Sequence, residues 1–327
     1  PWSVPATWEV EETEIRFESD GAILAGTLHA PRGVEDGPAV VVVQQAGTAT
    51  RDLPLFVQVA ETFNAIGLSV FLYDRRGEGE SEGAPGRPDY LTMARDAVAA
   101  KRAIAGLPAV HPERIGFWGL SQSGWLAMEA GAMSHPAFVI SVGAPLTTPG
   151  EQMEFLAQNY VLLDGHGEAA ARRAVEVRRT IHADYFRGEV GYEEARAVLA
   201  EVENEPWFHR AFLPAAHQLP RDVEQSSWIR EMDYDPVPAF EGVGAPLLFL
   251  LGGADIDVPV ARTLEVAAGL RPREDREMVV IPGASHLMRI EENPGDQFHL
   301  EPGDVSDAPA YFLVMGEWLG RLQLRGG

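Results

Sequence analysis

Residues able to do nucleophilic chemistry stand out first at Gly119-Leu120-Ser121-Gln122-Ser123-Gly124, which directly follows the apolar run Arg114-Ile115-Gly116-Phe117-Trp118 and precedes a helix-like stretch from Trp125 to Ala132. This is the sequence form of a nucleophile elbow, a sharp strand-to-helix turn that strains the backbone of its central residue and needs small neighbours two positions away on either side. Gly119 and Ser123 occupy those positions. The geometry would lift the Ser121 hydroxyl clear of the strand end and leave the backbone N–H of Gln122 at a helix N-terminus, where it can bind a developing oxyanion.

A serine hydroxyl needs a base, and the chain has nine histidines. His29, His111 and His135 fall at strand or helix edges, His166, His182, His209 and His217 in a helical stretch, and His299 in a polar segment with Pro and Gly. His286 differs, because it follows a buried-strand run through the short loop Pro282-Gly283-Ala284-Ser285, at the sheet edge where Ser121 would lie. The carboxylate that would fix its tautomer is offered by Gly252-Gly253-Ala254-Asp255-Ile256-Asp257-Val258-Pro259. Either Asp255 or Asp257 is also a natural turn former or helix cap.

The elements that must position these groups are readable from periodicity. Glu9 to Phe17 and Ala22 to His29, joined by Ser19-Asp20-Gly21, predict an N-terminal antiparallel hairpin. Ala39 to Val43, Leu68 to Tyr73, Arg114 to Trp118, Phe138 to Val142, Leu247 to Leu251 and Met278 to Ile281 are short continuous apolar runs suited to strands buried on both faces. Helical stretches such as Leu55 to Ile66 and Tyr90 to Ile104 lie between them, so the expected architecture is α/β with a mostly parallel sheet and right-handed crossovers. Glu151 to Asp235 has helical pattern and no convincing strand. It reads as a helical insertion over the carboxyl ends of the strands, where open α/β sheets bind ligands. The expected domains are therefore a core of residues 1–147 and 236–327 and a helical cap, or lid, of residues 148–235.

Composition narrows the function classes. The formal charge of −23 is spread along all 327 residues, which disfavours phosphate backbones and anionic membrane surfaces as partners. No apolar stretch approaches the roughly 20 residues of a membrane span. Cysteine is absent, which removes disulfides, thiolate metal sites and a Cys nucleophile, and neither a calcium loop nor a His-Glu-x-x-His pair is present. Lys101 is the single lysine and falls in what reads as an exposed helix, a poor place for Schiff-base chemistry. The chain starts Pro1-Trp2, which is compatible with a cytoplasmic protein or with one exported after signal-peptide removal. Oligomeric state is not readable.

Ser, then Asp, then His, each following a successive strand, is the chain order of the α/β-hydrolase fold. The chain resembles the bacterial esterases of that superfamily grouped with serine-aminopeptidase-like and dienelactone-hydrolase-like members, over residues 10–147 and 236–322. Tyr73-Asp74-Arg75-Arg76-Gly77-Glu78-Gly79-Glu80-Ser81 resembles that family's Asp-x-Arg-Gly-x-Gly-x-Ser segment. Gly252 to Pro259 resembles its acid loop, Pro282 to Leu287 its histidine loop, and Gly316-Glu317-Trp318-Leu319 its closing helix. The resemblance implies a Ser121–His286–Asp255 triad, the family's acid standing three residues before Val-Pro; Asp257 lies nearer the following helix and could cap it.

Two positions depart from the family. Ser123 stands where Gly is usual, and Gln44-Gln45-Ala46-Gly47 replaces His-Gly-x-Gly, so by position Ala46 would give the second oxyanion N–H, and Gln45 could contact substrate. The implied reaction is hydrolysis of a small-molecule carboxylic ester through an acyl-enzyme, with no metal or organic cofactor needed. Amide or thioester hydrolysis on the same groups is the alternative, and a non-catalytic ligand-binding protein of the same fold a further one. Phe155, Tyr160, Tyr185, Phe186, Trp207, Phe208, Phe212 and Trp228 give the insertion enough aromatic surface to line an acyl pocket, with Trp207 and Phe208 the candidates singled out.

Overall fold

The computed structural model describes residues 9–45, 50–84, 88–222, 231–290, 306–322 and 324. Ala46, Trp228 and His299 lie outside them. An eight-stranded sheet runs through the molecule in the order β1-β2-β4-β3-β5-β6-β7-β8. The strands are β1 (Val10–Ser19), β2 (Ala22–Pro31), β3 (Gly37–Val42), β4 (Ser69–Tyr73), β5 (Val110–Leu120), β6 (Val139–Val142), β7 (Leu247–Gly252) and β8 (Arg276–Ile281). β2 runs antiparallel to both β1 and β4, and every pairing from β4 to β8 is parallel.

The continuous apolar runs have the cause expected of them. Val41, Val43, Phe71, Tyr73, Phe117, Leu247 and Phe249 enter one core, while Val40, Val42, Val70, Leu72, Trp118 and Leu248 enter the other. Period-2 alternation thus sends successive residues to opposite faces, and both faces are covered by helices. α2 (Tyr90–Ile104) and α3 (Gln122–Ser134) cover the first face, and α1 (Pro54–Ala65) covers the second. Lys101, expected on an exposed helix, lies on α2 half-buried, its ammonium donating to the Ser134 carbonyl at 3.2 Å. The C-terminus of α3 supplies that acceptor, and burial lowers the lysine's pKa.

Between β6 and β7 the chain forms α4 (Pro149–Leu163), α5 (Gly167–Arg179), a π-helical turn (Thr180–Tyr185) and α6 (Tyr192–Val202), then re-enters the core through α7 (Val237–Gly242). α4 starts on a complete capping box, Thr148 with Glu151, and a proline in its first turn. These helices close on a core of their own, in which Ala157, Val161, Val177, Leu199 and Trp207 are buried. α8 (Val260–Ala268) follows β7, and α9 (Pro309–Arg321), which contains Gly316 to Leu319, packs Tyr311, Met315 and Trp318 onto the second core. No helix among the described residues is long and apolar enough to cross a membrane.

Candidate active site

Ser121 sits at the junction of β5 and α3 with φ 58° and ψ −124°, a left-handed conformation that costs a non-glycine residue on the order of 1–3 kcal/mol. The turn is tight because Gly119 has no room for a Cβ, which would overlap the backbone carbonyl of Ser123. Ser123 fills the second small position differently. Its hydroxyl accepts from the Leu120 N–H and donates to the Leu120 carbonyl, both at 2.8 Å, so it is buried and committed to holding the turn. Gln122 is the first residue of α3, so its N–H stands at the N-terminus of that helix. Its side chain is directed to Tyr90, donating to the phenolic oxygen at 2.9 Å.

Asp255 and His286 come from the loops after β7 and β8. The acid loop is fastened to the neighbouring loop by Gly253 N–H to Ile281 O (2.8 Å) and Ala254 N–H to Ala284 O (2.9 Å). One Asp255 oxygen, Oδ1, accepts from the N–H groups of Asp257 (2.8 Å) and Val258 (2.9 Å), and Oδ2 lies 2.8 Å from Nδ1 of His286. The carboxylate is therefore oriented on both sides, and its bond to Nδ1 leaves Nε2 as the basic atom of the ring. Both side chains are buried.

Backbone contacts bring this pair to the elbow. The Ser121 N–H donates to Val142 O at 2.7 Å, and the next residue is Gly143, with φ 59°, where a Cβ would stand 3.4 Å from Cε1 and Nδ1 of His286. The imidazole thus packs on the residue adjoining the carbonyl that holds Ser121.

Asp257 does not occupy the capping position of the following helix. α8 begins at Val260 with Pro259 in the capping position and no side-chain cap, and Asp257 is buried beside the pair instead. Asp255, Asp257 and His286 each bring one ligand atom to within 4.8 Å of the others, the single such grouping among the described residues. A cation there would have to displace the bonds that Asp255 already makes to His286 and to two backbone N–H groups.

After β3, Gln44 is buried and donates its side-chain N–H to the Tyr73 carbonyl, while Gln45 is half-buried. Asp74, from the motif after β4, accepts from Arg51 N–H (2.8 Å) and Glu80 N–H (2.9 Å), tying the β3–α1 connection to the β4–α2 loop. Trp207 is buried inside the insertion's own core, and Phe208 packs partly buried against it. Sequence reasoning did not single out Tyr90, Gly143 or Asn159. Of these only Tyr90 carries a signal, as the first residue of a helix that Asp89 caps.

The family model described as "Serine aminopeptidase, S33" matches residues 49–293. A polyketide transferase, ATR5, of Stachybotrys chlorohalonatus is 33% identical over 293 residues, 88% of this chain and 93% of the relative. A thiohydrolase, aneE, of Aspergillus aculeatus is 32% identical over 166 residues, 50% of this chain and 51% of that protein. The chain spans about half the length of several of the curated relatives it matches. Among solved structures, the α/β hydrolase GrgF from Penicillium sp. sh18 superposes with a TM-score of 0.60 at 19% identity, over 96% of this chain and 98% of that one, a likeness of fold.

Proposed function

Because the chain belongs to the serine aminopeptidase S33 family of α/β-hydrolases, we propose that it is a serine hydrolase that cleaves carboxylic esters through a covalent acyl-enzyme. The observation that carries this reading is the His286–Asp255 pair packed on Gly143, beside the backbone that holds the strained Ser121. His286 Nε2 takes the proton as the Ser121 oxygen attacks the carbonyl, and Asp255 holds the tautomer and stabilises the imidazolium. The Gln122 N–H receives the oxyanion, with Ala46 as the second donor expected from position. His286 then returns the proton to the leaving alcohol. In the second half, water attacks with the same base.

The helices between β6 and β7 act in this reading as a cap over the strand ends. A second substrate class, thioesters, is favoured by a specific finding, the thiohydrolases among the relatives. The chemistry is the same up to the leaving group, a thiolate that needs less help from His286 as acid.

The test is turnover of a p-nitrophenyl ester by the protein and its Ser121→Ala variant, with an organophosphonate adduct located by peptide mapping. Ser121→Ala should lower kcat by about 10⁶ and abolish labelling. An adduct on Ser123, or retained turnover, overturns the assignment. Matched oxyester, thioester and anilide substrates then rank the classes by kcat/KM.

A further inference from the structure

A hydrogen bond from the helical insertion to the loop that carries Asp255 falls on an unusual atom. Asn159, on α4, donates its side-chain N–H to the carbonyl of Ile256 at 2.8 Å. That carbonyl and the N–H of Asp257 belong to the same peptide unit, and the Asp257 N–H donates to Oδ1 of Asp255 at 2.8 Å. A peptide group is planar and its two polar ends point in opposite directions, so fixing the carbonyl fixes the direction of the N–H. The chain of bonds therefore runs from Asn159 through one rigid plane to Asp255 and on to Nδ1 of His286.

The rest of the acid loop explains why that plane needs an outside hold. Gly253 and Ala254 are fastened to residues 281 and 284, and from Pro259 the chain turns into α8. Ile256 lies between these anchors, half-buried. Asn159 is itself on a well-anchored support, since α4 starts from a capping box five residues beyond Gly143, the glycine against which His286 packs. A bond donated to a carbonyl also polarises the N–H of the same peptide, strengthening its hold on the carboxylate.

We propose that Asn159 is a positioning residue for the catalytic acid: by holding the Ile256–Asp257 peptide it keeps Asp255 aimed at His286, so the insertion contributes to the chemical step and not only to substrate choice. This rests on the acyl-transfer reading above. It separates two roles that ordinary mutagenesis of a cap would confuse. A residue that merely holds α4 in place affects large substrates through KM. A residue that acts through Asp255 affects kcat for every substrate, including the smallest.

The experiment uses Asn159→Leu, which keeps the size and loses the donor, and Asn159→Asp, which keeps the shape and presents an acceptor to the Ile256 carbonyl. Rates are taken per active site titrated with an organophosphonate, so that unfolded molecules do not count. Asn159→Leu is expected to lower kcat about tenfold for acetyl and for longer acyl esters alike, with KM for the acetate within about twofold of wild type. Asn159→Asp should lose more. In the substrate-free protein, the downfield proton NMR resonance of the His286 Nδ1–H should weaken or move in both variants. Unchanged kcat for the acetate with an unchanged resonance, the loss appearing only as a higher KM for longer esters, overturns the proposal. The resonance needs no turnover, so retained activity in Ser121→Ala would defeat the acyl-transfer reading without deciding the role of Asn159.

Discussion

The sheet core and the helical insertion bury polar groups in opposite ways. At the strand ends of the core, backbone groups hold buried polar side chains. Asp255 takes two N–H groups, Asp74 takes two more, and Ser123 uses both polar groups of Leu120. In the insertion a charge is buried in the middle. Arg178 is fully buried, its guanidinium donating to the carbonyls of Ala211 and Phe212, with His182 of the π-helical turn 3.3 Å away. Burial pushes this guanidinium down to about 9. In the proposed reaction the strand-end arrangement would present groups to the substrate, whereas the interior one ties helices together at an electrostatic cost. In the proposed reaction the core is the chemical half of the molecule, and the insertion is a body with its own packed core, hydrogen-bonded to the Asp255 loop through Asn159.

The largest test of that contrast falls on the acid loop. Asp255→Asn keeps shape but leaves the imidazole with the wrong tautomer, and kcat should fall by about 10⁴. Asp257→Asn, next to it and equally buried, should lower the thermal midpoint and leave kcat close to wild type. Measuring both quantities on both variants separates acid from neighbour. The reverse pattern would move the catalytic acid to Asp257.

How much of this was legible in the sequence follows from the range of the interactions concerned. The strands were readable because each is a short run of apolar residues whose alternate members serve two cores, as Val40 and Val41 do. The elbow was readable because its constraints lie within four residues, from Gly119 to Ser123. The capping position expected for Asp257 is taken by Pro259, because the rule considers only the nearest acidic residue before a helix. Lys101 was misread because its acceptor, Ser134, belongs to another helix. Asn159 left no trace at all, since its partner lies 97 residues away and an asparagine inside an amphipathic helix looks like any solvated position. The aromatic content of the insertion was visible, but composition does not tell a lining residue from a core one, and Trp207 is in the core.

Trp207 gives the next test, aimed at the separateness of the two bodies. Trp207→Ala should destabilise the insertion by about 3–5 kcal/mol, the cost of emptying a buried aromatic site. If the insertion packs on its own, denaturant unfolding should acquire an early phase while the acetate kcat measured below that phase stays near wild type. A single cooperative shift of the whole transition would mean that insertion and core fold as one unit, and the contrast between them would lose its energetic meaning.

The smallest expected effect concerns acid pH and again distinguishes the two regions. His182 is buried, and desolvation first, then the neighbouring Arg178 charge, hold its pKa well below the ordinary 6.5. The folded protein therefore keeps this imidazole neutral at pH values where the unfolded chain protonates it. Below about pH 6.5 the unfolded state binds the extra proton, so stability falls as pH drops, and the loss continues toward the depressed folded value. At most one proton is involved, which limits the slope to about 1.4 kcal/mol per pH unit. Many carboxylates also titrate in so acidic a chain, so the measurement is a difference: urea unfolding of wild type and His182→Gln from pH 7.5 to 5. The wild type should lose stability more steeply than His182→Gln below pH 6.5, and the acetate kcat, governed by the core, should show the same pH profile in both. Parallel stability curves would show that the folded protein does not hold the imidazole buried in a neutral form.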